Sequence, residues 1–403
     1  MLRSRGFLSI TAADFLVRSA YQMGKTPLLP LFAASLGAGD VLLGLIVSVS
    51  TLTGMVLKPF VGVLSDRTGR RIWLIIGTAF FAGMPFVYWF VDSPGQLVAV
   101  RIVHGMATAI YGPVTLAYVA ELSRSNRAER LGWFAMARNS GYIVGPVAAG
   151  LMLLTMSPVQ VFTVVGLLSS LAFLPVLTLP ETSSKNRVRR TSFSSQAIGA
   201  MLAAGRSPGV WLAGGMNAQI LIAEYAIKAF LPLYADAKGV NIAVVGAYFA
   251  VQEGVHLVLA PFGGRLGDRI GHLRTVALGM SAMGIALLTL TIAEGAYALM
   301  VPAILIGVAQ ALVFPSTVAL ASTTIDEGNL GAGMGLVGTM KNAAKVAGPI
   351  LGGALIFWFG LQVTLASMGT VLIAGAIGIY LFRRSGLRHT ARPLAVTGET
   401  ALE

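Results

Sequence analysis

A chain of 403 residues, 56% of them apolar and only 11% charged, with a mean hydropathy of +0.78, is not a soluble globular domain, in which charged residues would be about twice as frequent. Its formal net charge is +13, from 29 Lys and Arg against 16 Asp and Glu. The absence of cysteine excludes disulfides, thiolate metal sites and a cysteine nucleophile.

Apolar runs of about 20 residues are long enough to cross roughly 30 Å of hydrocarbon as helices. The first, over 7–35, follows Arg3 and Arg5 and carries no small-residue cleavage site, so it reads as a retained span rather than a removable signal. Further runs follow at 41–61, 72–91, 96–120, 131–155 and 160–180. After a polar stretch, six more lie at 208–234, 242–263, 275–293, 297–321, 330–357 and 362–382. The pattern predicts an all-α membrane protein of twelve transmembrane helices in two pseudo-symmetric six-helix bundles. Residues 1–180 form the N-terminal bundle, 181–207 a cytoplasmic linker, 208–382 the C-terminal bundle and 383–403 a cytoplasmic tail.

The basicity follows the same plan. Twenty of the 29 Lys and Arg fall in alternate loops and at the two termini: Arg3, Arg5; Arg67, Arg70, Arg71; Arg124, Arg127, Arg130; Lys185, Arg187, Arg189, Arg190, Arg206; Arg265, Arg269, Arg274; and Arg383, Arg384, Arg388, Arg392. The opposite loops carry Lys238. An asymmetry of this kind predicts cytoplasmic termini in a multi-pass plasma membrane and removes the nucleic-acid reading of the charge. The very short outer loops point to a bacterial inner membrane.

The two halves are copies. Gly62-Val-Leu-Ser-Asp66-Arg67-Thr-Gly69-Arg70-Arg71, preceded by Pro59-Phe60, returns 202 residues later as Gly264-Arg-Leu-Gly-Asp268-Arg269-Ile-Gly271-His272, preceded by Pro261-Phe262. Gly105 and Pro113 return as Gly307 and Pro315. Arg138-Asn139 with Gly145-Pro146 returns as Lys341-Asn342 with Gly348-Pro349. An internal repeat of this length in an apolar chain marks a secondary transporter.

The repeated Gly-x-x-x-Asp-Arg-x-Gly-Arg-Arg segment between spans 2 and 3 resembles motif A of the major facilitator superfamily, over the full length of the chain. Arg101-x-x-x-Gly105 in span 4 is similar to its motif B. Gly141-Tyr-Ile-Val-Gly145-Pro146-Val-Ala-Ala-Gly150 in span 5 is similar to the antiporter motif C, with Ala149 standing where a second glycine is usual. Together these resemble the drug:proton antiporter branch. The resemblance implies that spans 1, 4, 7 and 10 line a central cavity, that 2, 5, 8 and 11 form its sides, and that 3, 6, 9 and 12 lie outside. It also associates Arg101 with the proton relay and the substrate cavity.

In physical terms, the 62–71 segment reads as a gate: Gly62 and Gly69 allow a tight path and Asp66 sits at the positive N-terminal end of span 11. Arg70 pairs with Glu121 at the end of span 4, locking an outward-facing state, with Arg67, Arg71, Asp268 and Arg269 in the same set. A plain solvated basic loop is the competing reading. Gly141, Gly145 and Pro146, with Gly348 and Pro349, put small faces and kinks on paired helices, either as a pliable interface between halves or as ordinary packing.

Ionisable groups at membrane depth cost several kcal/mol and need a partner or a watery cavity. They are Asp14, Arg18 and Lys25 in span 1, Lys58 in span 2, Arg101 and Glu121 in span 4, Arg138 in span 5, Glu224 and Lys228 in span 7, Glu253 in span 8, and Lys341 and Lys345 in span 11. Spans 3, 6, 9 and 12 have none. Asp14 with Arg18 and Glu224 with Lys228 are i,i+4 pairs, either static or coupling. Glu253 has no Lys or Arg one turn away and is the first-choice proton carrier, with the imidazole of His256 as a second. Arg138 and Lys341 either bracket an anionic substrate group or satisfy carboxylates such as Glu253 or Asp14. Tyr21, Gln22, Asn139, Asn217, Gln219, Tyr225, Gln252, Gln310 and Asn342 are candidate hydrogen-bonding groups of a mostly apolar pocket.

No phosphate-binding loop, dinucleotide fingerprint, zinc motif or nucleophile triad is present, so the chain reads as a non-enzyme without metal or cofactor. The expected function is proton-coupled export of small amphiphilic or drug-like compounds by a monomer working by alternating access, with the bilayer, protons and substrate as partners. The alternatives are a symporter or exchanger of an anionic metabolite and, from another class, a non-transporting membrane scaffold or sensor.

Overall fold

In lipid every backbone N–H and C=O must be satisfied within the segment, so apolar runs of this length fold as helices. The computed structural model describes residues 5–122, 127–181, 205–324 and 330–384, and all of their long elements are helical. Most of the linker and the tail beyond Arg384 lie outside these residues, as do several of the loop arginines.

Span 1 is α1 (Arg5–Lys25) and α2 (Leu28–Ser35), span 2 is α3 (Asp40–Thr68), span 3 is α4 (Arg70–Val87) and span 4 is α5 (Pro94–Leu122). Span 5 is α6 (Arg127–Met152), and span 6 is α7 (Pro158–Ser170) with α8 (Phe173–Leu177). In the second half α9 (Pro208–Ala237), α10 (Ile242–Ile270), α11 (His272–Ile292) and α12 (Gly295–Thr324) are spans 7 to 10. Spans 11 and 12 are the two arms of α13 (Leu330–Arg384), which reverses at Gly360 (φ 76°).

Span 2 is longer than its apolar run. The residues from Gly62 to Thr68 are the last turns of α3, and the turn itself is Gly69 alone (φ 103°). Gly271 (φ 94°) does the same between α10 and α11. One glycine in a region that L side chains rarely adopt lets two helices meet without a loop, which is why the motif ends in glycine in both copies. Gly62 has no such role, since its backbone is helical.

The repeat is also a packing repeat. Spans 1 and 5 pack together as do 7 and 11, and spans 2 and 4 as do 8 and 10. The halves meet through span 2 on span 11 and span 5 on span 8. The end carrying the Gly69 and Gly271 turns, here the basic end, differs from the opposite end in how these four spans meet. At the opposite end a side chain on Gly44 would collide with the Pro349 carbonyl, and one on Gly246 with the Pro146 carbonyl. Ser48 donates to the Val346 carbonyl at 2.8 Å. An apolar cluster including Leu43, Ile46, Phe162 and Phe230 spans both halves there. On the basic-end halves of the same four spans, Gly62, Gly132, Gly254, Gly335 and Gly338 have open space beyond their Cα. The halves are therefore in close backbone contact across both seams at the end opposite the basic one.

Candidate functional site

At the basic end, Arg70 is drawn in by three groups. It donates from Nη1 to Ser65 Oγ at 2.7 Å and from Nε to Glu121 Oε1 at 3.1 Å, and it pairs with Asp66 one turn back. Among the described residues Asp66 pairs with Arg70 across the Gly69 turn and not with span 11. A helix start offers free N–H groups and a partial positive charge, and it is Glu181 that takes those of span 3: the Arg70 N–H donates to its Oε1 at 2.8 Å and the Arg71 N–H to its Oε2 at 3.3 Å. Sequence reasoning left Glu181 in the linker, although an acid directly after the Pro180 that ends span 6 is a signal for such a cap. Arg71 reaches the Leu177 carbonyl at 2.8 Å. Arg67 and Arg269 are exposed, and Asp268 pairs weakly with His272 at 3.8 Å. Because a lysine has one ammonium in place of the guanidinium fork, Arg70→Lys is expected to lose two of the three contacts and about 1–2 kcal/mol, read as a fall of a few degrees in the unfolding midpoint.

Deeper in, the N-terminal half holds a carboxylate that the sequence mispaired. Asp14, 1% exposed, is gripped by Arg138 of span 5, through Nη2 at 2.8 Å and Nε at 2.9 Å, while Nη2 also donates to Thr115 at 2.8 Å. The i,i+4 neighbour Arg18 lies instead against Gly141 of span 5. The reason is reach: a planar guanidinium from the facing helix engages both oxygens at once, as one from the same helix does not. Arg138 is thereby consumed by Asp14 rather than left for a substrate anion. Its counterpart Lys341 rests over the Phe314 ring at 5.3 Å, so the two cations are not equivalent.

Arg101 is 1% exposed and sits in a pocket of hydroxyls, bonded to Ser50 and, at 3.4 Å, to the Tyr88 hydroxyl. Tyr21 joins through Ser50 at 3.5 Å, and Tyr88 reaches His104 Nδ1 at 3.2 Å. His104 and Tyr88 were not singled out from the sequence; His104 lies one turn after Arg101, which was the available signal. The partners of Arg101 here are hydroxyls, with no carboxylate among them.

The central cleft is formed by spans 1, 5, 7 and 8, with Gln22, Lys25, Tyr142, Tyr225, Lys228 and Glu253 on its walls. Lys228 pairs with Glu224 one turn back, as the i,i+4 spacing predicts. Glu253 faces His256 Nδ1 at 3.4 Å. Gln252 and Gln310 are buried, and Asn217 donates to Thr317 of span 10 at 2.8 Å. Gln219 is exposed beside Gly375 of span 12, outside the cleft, because its place on α9 faces away from span 1. Asn139 and Asn342 are half-buried. Gly145 packs on Ser19, Gln22 and Met23 of span 1, and Gly348 on Ile222 and Tyr225 of span 7. The glycine and proline at each of these points thus serve two contacts: the glycine within its half, the proline across to the other.

Comparison with known proteins agrees with this architecture. The family model described as Major Facilitator Superfamily matches residues 15–255 and 217–401. The chain is 25% identical over 365 residues to the quinolone resistance protein NorA of Staphylococcus aureus, covering 86% of this chain and 91% of that one. It is 25% identical over 340 residues to an uncharacterized MFS-type transporter of Methanocaldococcus jannaschii, covering 83% and 87%. Among solved structures, a mutant form of the nucleoside transporter NupG superposes with a TM-score of 0.80 at 14% identity over 93% of this chain and 99% of that one. A mutant form of the peptide transporter POT does so with 0.78 at 13% over 94% of each. At such identities the superpositions speak to fold alone.

Proposed function

Because the chain belongs to the major facilitator superfamily, we propose that this transporter exports small amphiphilic compounds in exchange for protons by alternating access. The observation that carries the reading is the central cleft, closed at one end by the Gly44–Pro349 and Gly246–Pro146 contacts, with a carboxylate, Glu253, on its wall beside an imidazole. Similarity to a quinolone resistance protein supports efflux and a drug-like cargo.

In this mechanism Glu253, with His256 in reach, takes up and gives back the proton. Neutralising a charge beside the seam between halves changes the balance of the two states, and substrate competes with the proton directly or through conformation. Asp14 and Glu224 hold their own cations, Asp14 tying span 1 to span 5 through Arg138 and Glu224 pairing within span 7. With the basic end in the cytoplasm of a bacterial inner membrane, as the arginine distribution supports, the described state opens inward and a monomer suffices for the cycle.

The test is proton movement in proteoliposomes containing a pH dye, with an imposed pH gradient and a panel of lipophilic cations, neutral drugs and organic anions. Compound-driven proton movement is expected in the wild type and is expected to vanish in Glu253→Gln. Persistence of that movement in the variant removes Glu253 from the mechanism, and its absence with every compound refutes proton coupling.

A further inference from the structure

The deep acids are all engaged: Asp14 by Arg138, Glu224 by Lys228 and Glu253 by His256. Among the described residues Arg18, Lys25, Lys58, Arg101, Lys341 and Lys345 then have no carboxylate within 4 Å, and of these Lys25 and Lys345 stand together. Both converge on one ring. Lys25 lies 5.3 Å, Lys345 5.4 Å and Lys228 5.1 Å from the centre of Tyr225. The first two come from spans 1 and 11, on opposite sides of the seam between the halves.

An ammonium at membrane depth costs several kcal/mol, whereas a tyrosine face returns about 0.5–2 kcal/mol. The other contacts of Lys25 are also neutral, the Thr51 hydroxyl at 3.5 Å and the Tyr21 ring at 5.9 Å. Three ammonium groups around one ring also repel one another. The cleft is therefore short of negative charge at the point where its two halves meet, and aromatic and apolar side chains, Tyr142, Pro146 and Phe249, stand on its walls.

We propose that the compound taken by this cleft is an amphiphilic organic anion, its carboxylate or sulfonate held between Lys25 and Lys345 at Tyr225 and its apolar body against Tyr142 and Phe249. This rests on the transporter reading above and names its substrate class. An anion so placed ties span 1 to span 11, and its binding energy is thereby coupled to the relative position of the halves.

The experiment uses the purified full chain in detergent and three probes of one shape and different charge: 1-naphthylacetate, 1-naphthylmethanol and 1-naphthylmethylammonium, measured by equilibrium dialysis. The acetate is expected to bind at least about tenfold more tightly than the other two. Lys25→Gln and Lys345→Gln are each expected to weaken the acetate about tenfold or more without weakening the ammonium, while Lys25→Arg and Lys345→Arg retain it. The wild-type ranking needs no variant and stands if a Gln variant fails to fold.

Equal or tighter binding of the ammonium, no binding of any of the three, or Gln variants that keep the acetate would each overturn the proposal. Its failure is separable from that of proton-coupled export. Proton movement driven by a lipophilic cation and untouched by Lys25→Gln removes the anion site and leaves the exporter. Lysine-dependent acetate binding without proton movement does the reverse.

Discussion

Arg138→Gln is expected to destabilise the protein by about 3–5 kcal/mol, the range for breaking a buried ion pair from one side. The carboxylate it abandons, Asp14, is 1% exposed and loses both of its guanidinium contacts. Asp14→Asn is expected to cost less, because the Arg138 side chain is 16% exposed and keeps Thr115. The double variant is expected to recover much of the loss, since neither charge is then stranded, and the difference between the cycle and the sum of the singles measures the pair. Thermal unfolding in detergent reads all three. Additive losses in the double variant would show that Asp14 and Arg138 are not coupled, and a neutral Arg138→Gln would return that arginine to the substrate site.

The second large effect is conformational. Gly246 meets the carbonyl of Pro146, and Gly44 meets that of Pro349, at equivalent points of the two copies. Leucine at either position forces backbone apart, and overpacking of this kind costs about 1–3 kcal/mol. Only the state in which the opposite end is shut bears that cost, so Gly246→Leu and Gly44→Leu are expected to shift the equilibrium about ten- to hundredfold toward the other state and to slow transport by a similar factor.

A single cysteine reads the shift without background, because the chain has none of its own. Ser48, 1% exposed and bonded across the seam to Val346, is the position to use. Ser48→Cys is expected to be shielded from a membrane-impermeant maleimide in the parent and to be labelled when Gly246→Leu is added. Unchanged labelling together with unchanged transport would mean that these contacts do not gate the cleft.

Much of this molecule was legible in the linear chain, and it was the part that depends on neighbours in sequence. The apolar runs became helices because lipid leaves the backbone no other partner. The repeat told which positions would be equivalent, and Gly69 and Gly271 turn the chain because a single residue's conformational freedom is a local property. Glu224 with Lys228 was predictable for the same reason, a spacing of four on one helix.

What the spacing rule missed was set from elsewhere. Asp14 had an equally good neighbour in Arg18, yet it belongs to Arg138, 124 residues away, whose fork reaches both oxygens from the facing helix. The second copy lacks that arrangement: Lys341 found a phenyl ring instead. The convergence of Lys25 and Lys345 on Tyr225 joins spans 1, 7 and 11 and appears in no motif. The sequence by itself determined the helices, the duplication and the inventory of buried charge, because burial and helix periodicity act along the chain. Only the tertiary structure decided which charges are neutralised and which stay available, because ion pairing in a membrane depends on which helix faces are brought within about 4 Å.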